Sequence, residues 1–251
     1  MFHKLILNVL FFVCMTSLWQ TISSLYAIPE YIFPSPAIIT LTLFEHKAYL
    51  LKHFAISVTE IVLGVLLGLF WAFLTALILD HKRGLQDIFM PYLIVFKNLP
   101  IFVLAPLLLI WFGHGIGPKA FLIGMSSYFP MAIGLMDGLK AYPQSYSDFL
   151  TIIGPTSWFR TLFYIRLPYA MPRFFTGFRL ALMHAPISVI ACDWIGSSSG
   201  LGYVMMLCYG RIDLPMMFAC LFLLIGLSIL FYHLAKSIDR FFSNKLHLNY
   251  I

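Results

Sequence analysis

The sequence predicts an all-α integral membrane protein of six transmembrane helices, with a structured cytoplasmic loop between helices 4 and 5. Three observations carry that prediction. The 251 residues are 61% hydrophobic and 10% charged, with a mean hydropathy of +0.91, whereas soluble domains carry roughly 25% charged residues. Uncharged stretches recur at the length that crosses a bilayer, about 17–25 residues. The Lys and Arg residues between them divide unevenly between the two sides.

The first stretch runs from Leu5 to Pro29 behind Lys4. Lys4 and the run Leu5 to Val13 have the look of a secretory signal, but the apolar character continues through Trp19. No small-x-small cleavage site leads into a hydrophilic domain, which predicts a retained helix. The second, Ile61 to Leu79, carries Gly64 and Gly68 in the G-x-x-x-G spacing that lets another helix backbone approach closely. Whether that neighbour belongs to the same chain or to a second copy stays open. The third and fourth are Asn98 to Pro118 and Phe121 to Met136. The fifth, Phe174 to Ile195, admits Arg179 near one end and Asp193 near the other, and the sixth is Leu214 to Ala235.

With the N-terminus inside, eleven basic residues fall on the inner side (Lys4, Lys82, Arg83, Lys140, Arg160, Arg166, Arg173, Arg179, Lys236, Arg240, Lys245). Four fall outside (Lys47, Lys52, Lys119, Arg211), and Lys97 is ambiguous. The bias predicts that both termini are cytoplasmic. It also accounts for the net charge of +6. The basic residues are scattered and form no single face, so no nucleic-acid partner is expected. Cys14, Cys192, Cys208 and Cys220 lie in or near apolar segments without metal-ligand spacing and read as small buried side chains.

Between Asp137 and Pro172 the chain carries a polar interruption of 36 residues, too long for a tight turn. A helix-compatible run from Gln144 to Ile153 ends at Gly154, and Pro155 follows. Glycine closes a last helical turn in the left-handed conformation, and proline cannot continue the helix. A second run extends to Leu167, where Pro168 is expected to stop it. The result is a helix–turn–helix hook. Its apolar side chains (Phe149, Leu150, Ile153, Trp158, Phe159, Leu162, Phe163) are more than a loop in water needs, which favours a partner surface over packing on the protein's own helix ends.

Catalytic signatures are absent: there is no phosphate-binding G-x-x-x-x-G-K-[ST] and no H-E-x-x-H. His184 and Asp193, nine residues apart, fall on opposite sides of an ideal helix and cannot cooperate there. Helix interiors nearly free of acids also speak against the alternative of an ion-coupled secondary carrier, which displays several. An external motor is favoured.

The stretch Asp148 to Pro168 resembles the cytoplasmic signature loop of bacterial ABC importer permeases, E-A-A, three residues, Gly, then a spacer to I-x-L-P. Gly154 and the ending Ile165-Arg166-Leu167-Pro168 match, with Trp158 four residues after the glycine. The segments YIFPSPAII (31–39), IWFGHGIGPK (110–119) and WIGSSSGLGY (194–203) resemble, in the same order, permeases of the nitrate/sulfonate/taurine subfamily, which includes thiamine-precursor permeases. The chain departs from the pattern where Asp148 replaces glutamate, Phe149 and Leu150 stand for two alanines, and the spacer is one residue longer.

The resemblance implies a single transmembrane domain over residues 1–251 in the bacterial inner membrane, with a coupling loop at about 137–172. It implies ATPase-coupling residues at Asp148, Phe149, Leu150, Gly154, Trp158, Ile165, Leu167 and Pro168. Implied partners are an ABC ATP-binding subunit that carries ATP and magnesium, an outside solute-binding protein, and a second copy of the permease. No cofactor or metal is expected in this chain, which is expected not to be an enzyme. The solute would be small: a sulfonate, nitrate, taurine or a thiamine precursor. Asn98, His184 and Asp193 are translocation-pathway candidates. For Asn98 and His184 a plain hydrogen bond to a neighbouring helix is the competing reading, and for Asp193 a helix-end charge reaching the interface.

Overall fold

Residues 2–26, 28–81, 85–98, 100–143 and 157–245 are described by the computed structural model, and all their regular structure is helical. In chain order the helices are α1 (Phe2–Leu25), α2 (Pro36–Glu45), α3 (Lys47–His81), α4 (Leu85–Lys97), α5 (Ile101–Phe112) and α6 (Ile116–Leu139). Then come α7 (Trp158–Thr161), a π-helical turn (Leu162–Arg166), α8 (Leu167–Asp193), α9 (Leu201–Arg211) and α10 (Leu214–Lys245). Four helical segments are long and apolar enough to cross a membrane: Lys47–His81, Ile116–Leu139, Trp158–Asp193 and Leu214–Phe242. The shorter apolar helices α1 and α5 fall in the expected first and third stretches, Leu5 to Pro29 and Asn98 to Pro118, whereas α4 lies before the expected start of the third.

The third span is two half-helices. Pro100 has no N–H with which to continue α4. The chain therefore breaks between Lys97 and Ile101. Asn98 donates from Nδ2 to the Ile94 carbonyl (3.1 Å), satisfying one of the acceptors that the break frees.

Helix α6 is the axis of the fold, with α3 on one side and α8 on the other. Small residues permit the contact. A methyl group added at Gly64 would lie 2.6 Å from Ile123 Cβ, and one at Gly68 would lie 2.5 Å from the Gly124 carbonyl oxygen. The G-x-x-x-G neighbour is thus α6 of the same chain. On the other side, a Cβ at Gly177 of α8 would lie 2.1 Å from the Pro130 carbonyl oxygen of α6. Buried Leu135, Met136, Leu139, Phe174 and Ala181 fill one core cluster; Ile61, Ile123, Ala185 and Val189 fill another. Helix α10 covers the outer side of α8, and α2 lies on α10.

Two expectations change. Pro168 does not stop a helix: α7, the π turn and α8 run as one segment from Trp158 to Asp193. The π turn is the reason, because Leu167 N–H reaches back to the Leu162 carbonyl and the widened turn brings Pro168 to the start of α8, where a missing N–H is tolerated. Membrane helix 5 therefore begins inside the hook. Second, α3 starts at Lys47, fourteen residues before the expected Ile61, and so takes in Glu60. Cys14 is exposed, while Cys192, Cys208 and Cys220 are buried as expected.

Candidate functional site

The candidate residues lie at three levels along α6 and α8: the hook end, the middle and the far end.

At the hook end, the Arg166 guanidinium grips Asp80, the next-to-last residue of α3. Nη1 donates to Oδ2 at 2.8 Å, and Nη2 donates to Oδ1. The same guanidinium donates from Nε (3.2 Å) and Nη2 (3.1 Å) to the Leu139 carbonyl at the end of α6. Trp158 Nε1 adds a third donor to Asp80 at 3.2 Å, and the His81 ring meets the Trp158 ring edge-on at 4.7 Å. Three helix ends thus converge on one carboxylate. Arg173 donates to the Asp137 carbonyl (2.8 Å), and Arg179 pairs with Asp239 of α10 (2.7 Å).

Of the hook residues expected to couple, Trp158, Ile165, Leu167 and Pro168 are half-buried. Asp148, Phe149, Leu150 and Gly154, with the expected helix Gln144–Ile153, lie outside the described residues. Phe159 and Phe163 are exposed as expected. Leu162, expected on the exposed face, is 1% exposed and belongs to the core.

In the middle, a cleft of about 320 Å³ opens between α6 and α8 beside the α4–α5 break. Its lining includes Phe96 and Lys97 of α4, Ser126, Phe129 and Pro130 of α6, and His184 and Ser188 of α8. The Ser126 and Ser188 hydroxyls are 2.9 Å apart, and Ser188 Oγ also donates to the His184 carbonyl at 3.3 Å. Non-helical backbone at membrane depth is tolerated where it is buried in protein or lines a cavity, and the break at residues 98–100 adjoins this one. His184 lines the cleft. Asn98 stands exposed at the break and caps α4, and its neighbour Lys97 is the lining residue.

At the far end, Asp193 is 0% exposed and does not meet water. It forms a buried ion cluster that composition alone does not reveal. Lys119, 5% exposed in the first turns of α6, reaches Glu60 Oε1 of α3 at 2.8 Å and Asp193 Oδ1 of α8 at 2.6 Å. It also donates to Ser197 Oγ and to the Ser199 carbonyl (3.3 Å). Lys119 is therefore a structural cation and not the loop charge expected from the topology count. Glu60 is 1% exposed, and its Oε2 accepts no bond among the described residues.

The other oxygen of Asp193 caps α9, accepting from Gly202 N–H at 3.1 Å. Ser57 Oγ accepts from Leu201 N–H (2.8 Å) and His53 Nδ1 from Gly200 N–H (3.1 Å). A carboxylate at a helix N-terminus opposes the dipole favourably. The motif from Trp194 to Tyr203 owes Gly200 and Gly202 to this packing. Gly200 has φ +108°, and a Cβ there would lie 2.2 Å from Asp193 Oδ2.

His184 faces the cleft and Asp193 the ion cluster, so the two do not form an acid–base pair. Among the described residues no three His, Cys, Asp or Glu side chains converge as metal ligands.

Comparison with known proteins fits this architecture. The model of the family described as "binding-protein-dependent transport system inner membrane component" matches residues 64–246. A probable ABC transporter permease protein of Haemophilus influenzae is 37% identical over 215 residues, 86% of this chain and 87% of that protein. The formylaminopyrimidine transport permease protein ThiX of Halalkalibacterium halodurans is 28% identical over 233 residues, 92% of each chain. Among solved structures, an amino acid ABC transporter with histidines aligns with a TM-score of 0.65 at 13% identity, covering 80% of this chain and 97% of that one. That last likeness concerns the fold.

Proposed function

The chain belongs to the family of inner-membrane components of binding-protein-dependent transport systems and is a membrane-spanning permease subunit of an ABC importer for a small solute; from that premise we propose how it works. Two copies enclose the pathway. An ATP-binding subunit, which holds the ATP and magnesium, docks on each hook, and a solute-binding protein delivers solute at the far end. The hook end and both termini are cytoplasmic, and the far end faces outward. The coupling contact is made by Asp148, Phe149, Leu150 and Gly154 with Trp158, Ile165, Leu167 and Pro168. The solute is of the sulfonate, nitrate, taurine or thiamine-precursor kind, the last supported by the likeness to ThiX.

One observation carries this reading. The segment Trp158–Asp193 is 36 residues long. At about 1.5 Å per residue it makes a rod of roughly 54 Å, well beyond the roughly 30 Å of bilayer hydrocarbon. It starts in the hook, passes His184 and Ser188 at the cleft, and ends in the ion cluster at Asp193. Displacing the hook therefore displaces the pathway wall through one helical segment, which stays continuous through Pro172 and Pro186. As the motor subunits close on ATP they draw the two hooks together, and the rods tilt the clefts from inward- to outward-open. His184, with Lys97 and the Ser126–Ser188 pair, lines the pathway; Asn98 holds the break beside it; Asp193 fixes its outer end.

The test is uptake in proteoliposomes holding the permease with its ATP-binding subunit and binding protein. Uptake should require ATP inside and persist when an uncoupler collapses the ion gradients. Uptake that survives without ATP and stops with the uncoupler would establish a secondary carrier instead.

A further inference from the structure

The cluster around Asp80 is not explained by docking alone. Asp80 is buried, whereas Phe159 and Phe163 of the same hook are exposed, and the cluster joins the hook to α3, which does not belong to the hook. Arg166 is the last residue of the π turn, whose bond from Leu167 N–H to the Leu162 carbonyl spans five residues instead of four. An inserted residue of this kind re-aims the side chains of the turn, and π turns gather at functional positions for that reason. Here it puts Leu162 in the core and the Arg166 fork on Asp80 and the Leu139 carbonyl together.

A single helix contact needs much less. The carboxylate receives both Nη atoms of Arg166 and the indole N–H of Trp158, while the guanidinium also holds the Leu139 carbonyl of α6. A planar fork bound in two places fixes orientation as well as distance. The Arg166 guanidinium also lies over the Tyr142 ring, 5.5 Å from its centroid, which closes its remaining face. Around Trp158, Ser157, Phe159 and Arg160 are exposed.

We propose that Asp80 is a positioning residue for transport: through Arg166 and Trp158 it binds the hook to the end of α3, so that α3, α6 and α8 receive the motor's displacement as one body. The inference rests on the permease reading and extends it. In that reading the hook drives α8; here the same push enters α3 and α6 at their hook ends, and the rod does not bend away from its neighbours under load. Asp80 touches neither solute nor ATP. Asp80 stands on α3 and not on the hook, so its loss removes none of the proposed coupling residues. That loss lets the hook yield under the motor, so ATP is hydrolysed with little solute moved.

The experiment uses the complete transporter, permease with ATP-binding subunit and binding protein, reconstituted with Asp80→Glu, Asp80→Asn and Asp80→Ala. The readouts are ATP-binding subunit retained on purification, ATP hydrolysed, and solute taken up per ATP. Retention and hydrolysis are expected within twofold of wild type for all three. Uptake per ATP is expected to fall at least tenfold in Asp80→Ala, less in Asp80→Asn, which still accepts from Trp158, and least in Asp80→Glu. Because the readout is a ratio, a smaller folded fraction does not change it. Equal uptake per ATP in wild type and Asp80→Ala overturns the proposal, and so does loss of the ATP-binding subunit, which would make Asp80 part of the docking face. A wild-type transporter without ATP-driven uptake would overturn the permease reading as well, and is thus told apart from failure of the Asp80 proposal alone.

Discussion

Replacing Lys119 with methionine removes the one cation from a buried site that holds two carboxylates, Glu60 at 1% and Asp193 at 0% exposure. The stem keeps its bulk, so the change isolates the charge. Breaking a buried ion pair by removing one partner costs about 3–5 kcal/mol, because the charge left behind has neither water nor counter-ion. For a chain of this size each kcal/mol shifts the melting temperature by roughly 2–4 °C, which places Lys119→Met about 6–20 °C below wild type. Glu60→Gln should behave differently. It leaves Lys119 on Asp193 and removes the carboxylate whose Oε2 has no partner among the described residues, so its loss stays near the roughly 1 kcal/mol of a single hydrogen bond. Asp193→Asn falls between them, since the amide oxygen can serve Gly202 N–H or Lys119 but not both as the carboxylate does. The combined Glu60→Gln, Lys119→Met, Asp193→Asn chain should recover more than half of the loss, because no charge is then left unpaired. Thermal unfolding in one detergent, followed by intrinsic fluorescence, reads the series. A Lys119→Met protein melting within 2 °C of wild type, or a Glu60→Gln protein falling as far as Lys119→Met, would refute the charge argument.

Two further outcomes are expected. Gly177→Ala places a methyl 2.1 Å from the Pro130 carbonyl oxygen, while Gly226→Ala meets nothing within 4 Å; the first should lower the yield of folded protein and the second should leave it unchanged, and equal behaviour would show that the α6–α8 contact is looser than described. A cysteine at Ser145 should react with an impermeant maleimide only from the cytoplasmic side and one at Ser198 only from outside; reversed labelling would invert the proposed topology.

The spans and the close-approach glycines were legible because each is a local pattern. Hydrophobic length marks a span wherever it packs, and Gly64–Gly68 marks a thin helix face whatever its neighbour. The far-end cluster was not legible, because its members lie 59 and 74 residues apart in sequence. Lys119 also sits where a topology count assigns it to a loop. A signal was present: Glu60, alone among the apolar residues of α3, needed a cation. Asp80 and Arg166, 86 residues apart, were hidden in the same way, since helix-end charges are ordinary on topological grounds. Pro168 misled for a local reason: proline ends an α-helix, but the π turn before it supplies the space the ring needs.

The two ion clusters sit at opposite ends of the same three helices. Asp80 with Arg166 and the Leu139 carbonyl joins α3, α8 and α6 at the hook end, and Glu60 with Lys119 and Asp193 joins them at the far end. Between the clusters, Gly68 against Gly124 and Gly177 against Pro130 bring the backbones together with no side chain to act as a bearing. Sliding one of these helices along another by a turn would bring bulkier residues against a backbone and break the ion pairs at both ends, a cost of several kcal/mol at the buried far-end cluster. Among the described residues the α4–α5 segment has no buried ion pair, and its exposed Asp87 pairs with Lys140 at 2.8 Å: the segment is broken at Pro100, lies largely exposed, and borders the cleft. Within one chain, then, the physical asymmetry is between a three-helix frame fixed at both ends and a jointed wall beside it, and the cleft that holds His184 lies along that boundary.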